Sequence, residues 1–143
     1  MQLSFALYSA ANRMIRLHKP FLDPLGLTFP QYLVLLELYV AAPRTVGELG
    51  GSLGMDTGTI TPLLKRLAAA GRITRRRDSA DERRVIIELT PAGEALREQV
   101  WRVTDQIKTA CRLDDEALAE LRATLDGLAH APGRETTTNE DTG

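Results

Sequence analysis

The sequence predicts a mainly α-helical protein with one small β-hairpin. Apolar residues recur at helical spacing along most of the 143 residues, which is typical of amphipathic helices. Capping residues precede several of these segments, and glycine or proline follows them, as expected at helix ends. Residues 72–77 and 84–89 are two β-capable runs joined by a polar connector, which predicts a hairpin with a long loop.

The composition is that of one globular domain. With 43% apolar residues, the chain is long enough to bury a substantial core. It has no run of about 18 apolar residues and no positively charged leader, so we expect neither a membrane span nor a secretory signal. Its single cysteine, Cys111, cannot form an intramolecular disulfide, which is compatible with a reducing cytoplasm.

Two helices are predicted in the first third of the chain. Residues 2–19 carry apolar side chains in an approximately helical stripe, and we expect Pro20 or residues 24–26 to end or bend this helix. Residues 28–31, Thr-Phe-Pro-Gln, form a capping-box pattern with proline in the first turn. Because residues 31–40 are nearly all apolar, this second helix should be buried on most sides.

A helix-turn-helix pattern follows. Residues 42–44, Ala-Pro-Arg, interrupt the second helix, and residues 45–48, Thr-Val-Gly-Glu, form a second capping-box pattern that opens a short helix. Asp56 or Thr57 can cap the next helix. Pro62 lies inside that helix, so we expect a kink or a loosened first turn.

These elements together predict a winged helix-turn-helix. A helix, a short turn with glycine and a second helix are followed by the arginine-rich hairpin. The helix that starts near Thr57 would be the recognition helix, entering the major groove by its N-terminal half. The hairpin would be the wing.

The C-terminal third predicts two more helices and a tail. Residues 90–91, Thr-Pro, begin one helix that should reach about residue 110, and residues 113–116 begin the other. The tail, residues 131–143, has no bulky apolar side chain and is predicted to be disordered. The predicted organisation is therefore one domain, 1–130, with the winged helix-turn-helix at about 30–90 and dimerisation helices at 2–25 and 91–129.

The terminal helices predict a homodimer. They carry more apolar surface than one small winged helix can cover, and a second copy of the chain would bury it. A two-fold dimer would place two recognition helices in major grooves roughly 34–36 Å apart. We therefore expect a pseudo-palindromic double-stranded DNA site.

The charge distribution also indicates a nucleic-acid partner. The net charge of the chain is −1, but residues 56–90 carry eight basic and five acidic side chains, a net of +3, whereas residues 91–143 carry a net of −5. Nucleic-acid binding depends on local rather than overall charge. Short polar groups at the start of the recognition helix suit base edges, and the basic groups suit phosphates. The candidate DNA-binding residues are Asp56, Thr57, Thr59, Thr61, Lys65, Arg66, Arg75, Arg77, Arg83 and Arg84.

Four segments resemble the MarR family of bacterial transcriptional regulators, and most of all its organic-hydroperoxide-resistance subgroup. They are residues 3–10 (LSFALYSA), 25–36 (LGLTFPQYLVLL), 58–67 (GTITPLLKRL) and 81–85 (DERRV). The resemblance implies a homodimeric repressor that works in the cytoplasm at the bacterial nucleoid and leaves DNA when a signal arrives. It also places Arg83 at the wing tip that enters the minor groove, and we expect Asp81 to brace the wing by pairing with an arginine.

The same resemblance predicts that peroxide sensing is absent from the first helix. Members of the subgroup sense peroxide with a first-helix cysteine that two tyrosines of the partner subunit hold. These positions correspond to Ser4, His18 and Phe29 in this chain, and a serine hydroxyl forms neither a thiolate nor a sulfenic acid. We expect a small-molecule effector to act instead. Its candidate pocket residues are Ser4, Tyr8, Asn12, His18, Phe29 and Tyr32.

Two other regulatory or binding functions stay open, and an enzyme is disfavoured. Cys111 lies near the position of the subgroup's second cysteine and could make the protein redox-responsive, although a small half-buried apolar role is favoured. The fold could also serve as a protein-interaction module that binds no DNA. The sequence contains no nucleophile–base pair, no glycine-rich phosphate loop and no spaced metal ligands, so we expect no enzymatic activity, metal or cofactor.

Overall fold

The computed structural model describes residues 2–130. The chain divides into two compact units, the first ending at Ile107 and the second beginning at Lys108. The tail that the sequence predicts to be disordered, residues 131–143, lies outside the described residues. Within the described part, no helix has both the length and the hydropathy needed to cross a bilayer.

The first unit begins with two helices and contains the whole hairpin, and the second unit contains the last helix. The elements in chain order are α1 (Leu3–Leu22), a 3₁₀ turn (Asp23–Leu25), α2 (Phe29–Val40), β1 (Arg44–Thr45), α3 (Val46–Leu53), α4 (Thr57–Ala69), β2 (Ile73–Arg77), β3 (Val85–Leu89), α5 (Pro91–Ala95), α6 (Arg97–Cys111) and α7 (Asp115–Ala129).

The first helix passes the first of the two predicted break points and ends just before the second. α1 continues through Pro20 and ends at Leu22, where the 3₁₀ turn begins. A proline in the last turn removes only the amide that would bond the carbonyl four residues before it, and the amide of Asp23 still bonds the carbonyl of Lys19. Of the two predicted break points, Pro20 does not end the helix, whereas the turn at residues 23–26 does.

The predicted capping box of α2 is confirmed. The hydroxyl of Thr28 accepts the amide of Gln31 at 3.3 Å, and the side-chain oxygen of Gln31 accepts the amide of Thr28 at 3.0 Å. α2 then passes through the middle of the core, where Val34 and Leu35 are fully buried. This helix positions the helix-turn-helix that packs on it.

The hairpin is confirmed, and a short third strand joins it. β2 and β3 pair antiparallel, and β1 pairs with the other edge of β3, so the strand order is β1-β3-β2. The interpretation of residues 42–44 as a simple break missed β1, because a two-residue strand is too short to show alternation. β1 connects the start of α3 to the wing.

The helix-turn-helix is formed by α3 and α4. Asp56 caps α4 by accepting the amide of Thr59 at 2.8 Å. Pro62 lies inside this continuous helix, and because it has no amide to bond the carbonyl of Gly58, the first turns have one backbone hydrogen bond fewer. One face of α4 is buried in the core; its buried residues are Ile60, Leu63, Leu64 and Leu67.

The helix predicted to run from residue 91 to about 110 is two helices. α5 ends at Ala95 and α6 starts at Arg97, because the chain tightens at Leu96, whose amide bonds the carbonyl of Gly93, three residues back, at 3.3 Å. The same carbonyl accepts the hydroxyl of Tyr39 at 2.7 Å. A glycine is needed at position 93, because a Cβ there would overlap the carbonyl of Arg72.

The second unit contains α7, which begins where the sequence predicts. The carboxylate of Asp114 accepts the amide of Ala117 at 2.7 Å and caps the helix, and Lys108 forms an ion pair with Asp115. None of the residues of α7 is buried. Its exposed large apolar side chains are Leu121, Leu125 and Leu128.

Candidate nucleic-acid interface

The start of α4 presents short polar side chains to solvent. Thr57 and Thr59 are exposed and Thr61 is half-buried. Asp56 is committed to capping, since its carboxylate accepts the amide of Thr59. The N-terminus of α4 also carries the positive end of the helix dipole, which favours an anion such as a phosphate.

Arg75 and Arg76 of β2 lie on opposite faces of the wing. Side chains alternate along a strand, so Arg75 shares the face of the buried Ile73, and it pairs in register with the buried Ile87. Arg76 lies on the opposite face, where its guanidinium contacts the carboxylate of Glu88 at 2.9 Å. The Nε of Arg75 is buried and has no hydrogen-bond partner among residues 2–130.

Arg75 opens into a groove between α4 and the wing. We call this concavity, of about 380 Å³, the wing groove. It brings together two threonines of the recognition helix and three arginines of the hairpin, and these five were all predicted DNA-binding residues. Its lining residues are Thr45, Val46, Gly47, Thr57, Thr61, Arg75, Arg83, Arg84 and Val85.

The wing tip is held by Asp81, as the sequence predicts. One oxygen of its carboxylate accepts the backbone amide of Arg83 at 3.1 Å and lies 3.4 Å from the side-chain Nε of Arg83. The amide of Arg84 donates to the carbonyl of Asp81 at 2.9 Å, and the guanidinium of Arg77 donates to the carbonyl of Glu82 at 2.9 Å. The side chain of Arg83 is 93% exposed and is therefore free to reach beyond the tip.

The other side of α4 has a second, smaller concavity. Lys65 and Arg66 are exposed on α4, and Arg66 lines a crevice of about 290 Å³ between α4 and the start of α2. The remaining lining residues are Thr28, Pro30, Gln31, Met55, Thr59 and Leu63. Arg66 and Thr59 are predicted DNA-binding residues, whereas Gln31 and Met55 are not among the candidates, because their sequence signals indicate a cap and a turn.

Comparisons with known proteins identify the family. Residues 16–100 match the family model described as transcriptional regulator SarA/Rot. The organic hydroperoxide resistance transcriptional regulator of Bacillus subtilis (strain 168) is 41% identical over 124 residues, which are 87% of this chain and 84% of that protein. The chain belongs to the MarR/SarA family of transcriptional regulators. Its role is regulatory rather than enzymatic, as the sequence predicts.

Solved structures of this family share the fold of the chain. The structure of reduced AbfR bound to DNA, a protein of Staphylococcus epidermidis, is 35% identical, covers 89% of this chain and 91% of AbfR, and has a TM-score of 0.72. A mutant of MarR from E. coli, solved in complex with operator DNA, is 28% identical, covers 88% of this chain and 92% of that one, and has a TM-score of 0.74. The winged-helix prediction is thus confirmed.

The predicted signal pocket of this MarR/SarA-family regulator is only partly assembled. The ring centroid of His18 lies 4.8 Å from that of Phe29 and 5.3 Å from that of Tyr32. Ser4 and Tyr8 are exposed and Asn12 is half-buried. Ser4 precedes His18 by 14 residues of continuous helix, which corresponds to about 21 Å. We call the three rings the aromatic cluster; within one chain, Ser4 and Tyr8 do not join it.

Two polar atoms of the aromatic cluster have hydrogen-bond partners inside the chain. His18 is 5% exposed, and its Nδ1 donates to the carbonyl of Met14 at 2.6 Å. The hydroxyl of Tyr32 lies 2.7 Å from that of Thr104. Burial raises the pKa of Tyr32, and this hydrogen bond opposes the shift. These contacts are those of a packed structural cluster.

A crevice of about 340 Å³ lies beside the aromatic cluster. It shares Phe29 with the predicted pocket. Arg16 places positive charge on its α1 wall, whereas Lys19 pairs with Asp23 at 3.1 Å. The other lining residues are Ile15, Leu22, Asp23, Leu27, Thr28 and Pro30. Among the described residues, no group of three or more His, Cys, Asp or Glu side chains could hold a metal ion. Cys111, at the end of α6, is half-buried.

Proposed function

We propose that this regulator is a dimeric repressor that binds a pseudo-palindromic double-stranded operator and leaves it when a small molecule binds. In this proposal the N-terminal half of α4 enters the major groove. Arg83 reaches the minor groove from the wing tip. The protein acts in the cytoplasm at the bacterial nucleoid.

The wing groove is the observation that carries the proposal. It combines threonine hydroxyls, a helix N-terminus and three guanidinium groups in one concavity. Guanidinium groups bind phosphate through charge-assisted hydrogen bonds. The unpartnered Nε of Arg75 supports an outside acceptor, because buried donors in native proteins normally have a partner.

Exposed apolar side chains support the homodimer. In the first unit, α1 exposes Leu3, Phe5 and Tyr8 by 63%, 63% and 73%. In the second unit, α7 buries none of its residues. Large exposed apolar side chains on adjacent turns of a helix mark an interaction surface. Two copies of the chain would supply the two half-site contacts that a pseudo-palindrome requires.

Arg83→Ala tests the proposed DNA contact. Operator fragments selected from a genomic library by the wild-type chain serve as probes, and binding is measured across a salt series. We expect Arg83→Ala to weaken binding about tenfold to a hundredfold and Arg76→Ala, on the other face of the same wing, to leave it nearly unchanged. Equal binding by Arg83→Ala and the wild-type chain at matched salt would refute the wing assignment.

The signal is proposed to be a bound molecule rather than oxidation. Ser4 cannot be oxidised as a thiol, and the crevice beside Phe29 has room for a small anionic or aromatic ligand next to Arg16. We expect an organic hydroperoxide to leave DNA binding of the wild-type protein unchanged. Prompt loss of binding that a thiol reverses would instead make Cys111 the sensor.

A further inference from the structure

Glu48 does not complete the capping box that the sequence predicts for α3. Its amide donates to the hydroxyl of Thr45 at 3.1 Å, but its carboxylate lies between two arginines. One carboxylate oxygen is 3.8 Å from Nε of Arg44, and the other is 3.7 Å from Nη2 of Arg84. Departures from a local sequence rule are expected at functional sites.

Arg44 is the fixed member of this group. Its Nη1 contacts the carboxylate of Glu37 on α2 at 2.7 Å, and its Nη2 donates to the hydroxyl of Ser52 at 2.5 Å. Its side chain is only 15% exposed, whereas those of Arg84 and Glu48 are 54% and 52% exposed. Arg44 therefore holds the carboxylate of Glu48 on one side, and Arg84 is the exchangeable partner on the other.

We infer that Glu48 is a positioning residue that holds Arg84 at the wing groove and sets the specificity of the regulator, an inference that rests on the proposed DNA binding. Arg83 and Arg84 are adjacent, yet Arg83 pairs with Asp81 at the wing tip and Arg84 with Glu48 on α3. The carboxylate of Glu48 occupies Arg84 until a backbone phosphate of DNA replaces it. A guanidinium group accepts either anion with similar geometry.

This exchange would disfavour non-specific complexes more than operator complexes. Non-specific binding depends on phosphate contacts alone. Without base contacts to fix the register, a phosphate does not reach Arg84, and the carboxylate of Glu48 repels the backbone. In the operator complex the register is fixed, so Arg84 moves to the phosphate and Glu48 stays paired with Arg44.

A double-mutant cycle tests the inference with Glu48→Gln, Arg84→Ala and the double variant. Glutamine is also favoured at this helix position, so α3 should stay folded, which thermal melting checks. We expect Glu48→Gln to tighten binding to a random-sequence duplex about two- to fivefold, the range set by exposed ion pairs. The slope of the logarithm of the random-duplex binding constant against the logarithm of the salt concentration should steepen by up to about one unit. The affinity for the operator should change less than the affinity for the random-sequence duplex. In the Arg84→Ala background most of the effect should disappear.

Glu82→Gln is the matched control. It removes a carboxylate from the same wing, and the side chain of Glu82 is exposed and forms no ion pair among residues 2–130. The positioning role is overturned if Glu48→Gln has no larger effect than Glu82→Gln, or if its effect is unchanged in the Arg84→Ala background. Either result would leave the proposed DNA binding intact. Absence of salt-dependent DNA binding by the wild-type chain would remove the proposed function and this inference together.

Discussion

The wing groove takes its side chains from β1, α3, α4 and both arms of the hairpin, whereas the predicted signal pocket draws on α1 and α2. All the contributors to the groove lie close in sequence, between Thr45 and Val85, and one chain brings them together. The pocket gathers only His18, Phe29 and Tyr32, and leaves Ser4 exposed.

The difference follows from how each region is built. Short capped helices and a hairpin fold back on a shared core, so residues a few turns apart converge on one surface. A continuous helix such as α1 does the opposite, because its residues spread along the axis at about 1.5 Å each. A site that uses both ends of α1 is therefore incomplete without a second chain.

The first test of this comparison disrupts the close contact between Gly93 of α5 and the backbone of Arg72, just before β2. Gly93→Ala would place a Cβ against the carbonyl of Arg72, which is fixed because it accepts the amide of Thr90 at 3.1 Å. We expect the free energy of unfolding to fall by about 3 kcal/mol, measured by urea denaturation. Gly51→Ala is the control, since nothing lies within 4 Å of its added Cβ. Equal stability of the two variants would contradict the packing.

A second test separates the two faces of β2. Arg75 opens into the wing groove, whereas Arg76 pairs with Glu88 on the other face. We expect Arg75→Ala to weaken operator binding about tenfold and to lower the salt slope by about one unit, as for the loss of one phosphate contact. Arg76→Ala should change neither. Binding isotherms at several salt concentrations measure both, and a larger loss for Arg76→Ala would reverse the assignment of faces.

The sequence predicts the local parts of this molecule well. The capping box at Thr28, the cap at Asp56 and the arms of the hairpin are confirmed, because caps and strand alternation depend on residues a few positions apart. The brace at Asp81 is also confirmed. Three of the four predicted wing arginines, Arg75, Arg83 and Arg84, line one groove with Thr57, whereas the guanidinium of Arg77 donates to the carbonyl of Glu82.

The missed strand β1 is too short to show alternation, and two other misses involve contacts between distant residues. The break at Leu96 depends on Tyr39, which is 57 positions earlier and whose hydroxyl bonds the carbonyl of Gly93. Glu48 leaves its predicted capping box because Arg44 and Arg84 attract its carboxylate. The contacts of Tyr39 with Gly93 and of Arg84 with Glu48 join separate segments of the sequence, whereas Arg44 and Glu48 are only four residues apart.

A third test concerns Tyr39, which joins α2 to α5. Its hydroxyl donates to the carbonyl of Gly93, and burial, with Glu94 nearby, raises its pKa to about 12. We expect Tyr39→Phe to lower the free energy of unfolding by about 1 kcal/mol at pH 7. A raised pKa stabilises the folded state below the unfolded value of 10, and this stabilisation is lost as pH rises to about 12.

Urea denaturation as a function of pH checks the direction in which the contribution of Tyr39 to stability changes. The stability gap between the wild-type chain and Tyr39→Phe should be constant below pH 10 and should shrink between pH 10 and about 12. A gap that widens with pH would contradict burial as the cause of the raised pKa.

The smallest effect on operator binding is expected from a substitution in the predicted signal pocket. Ser4→Cys restores a thiol at the position of the sensing cysteine, but the positions that correspond to the two tyrosines carry an imidazole at His18 and a phenyl ring at Phe29. Neither Phe29 nor a His18 whose Nδ1 already bonds Met14 supplies a phenol hydroxyl to hold an oxidised cysteine. We therefore expect organic hydroperoxide to change operator binding by Ser4→Cys less than about twofold, within the range of weak exposed contacts. Loss of binding in the variant that also carries His18→Tyr and Phe29→Tyr would assign the missing response to the aromatic cluster, whereas full release of Ser4→Cys alone would show that the thiol suffices.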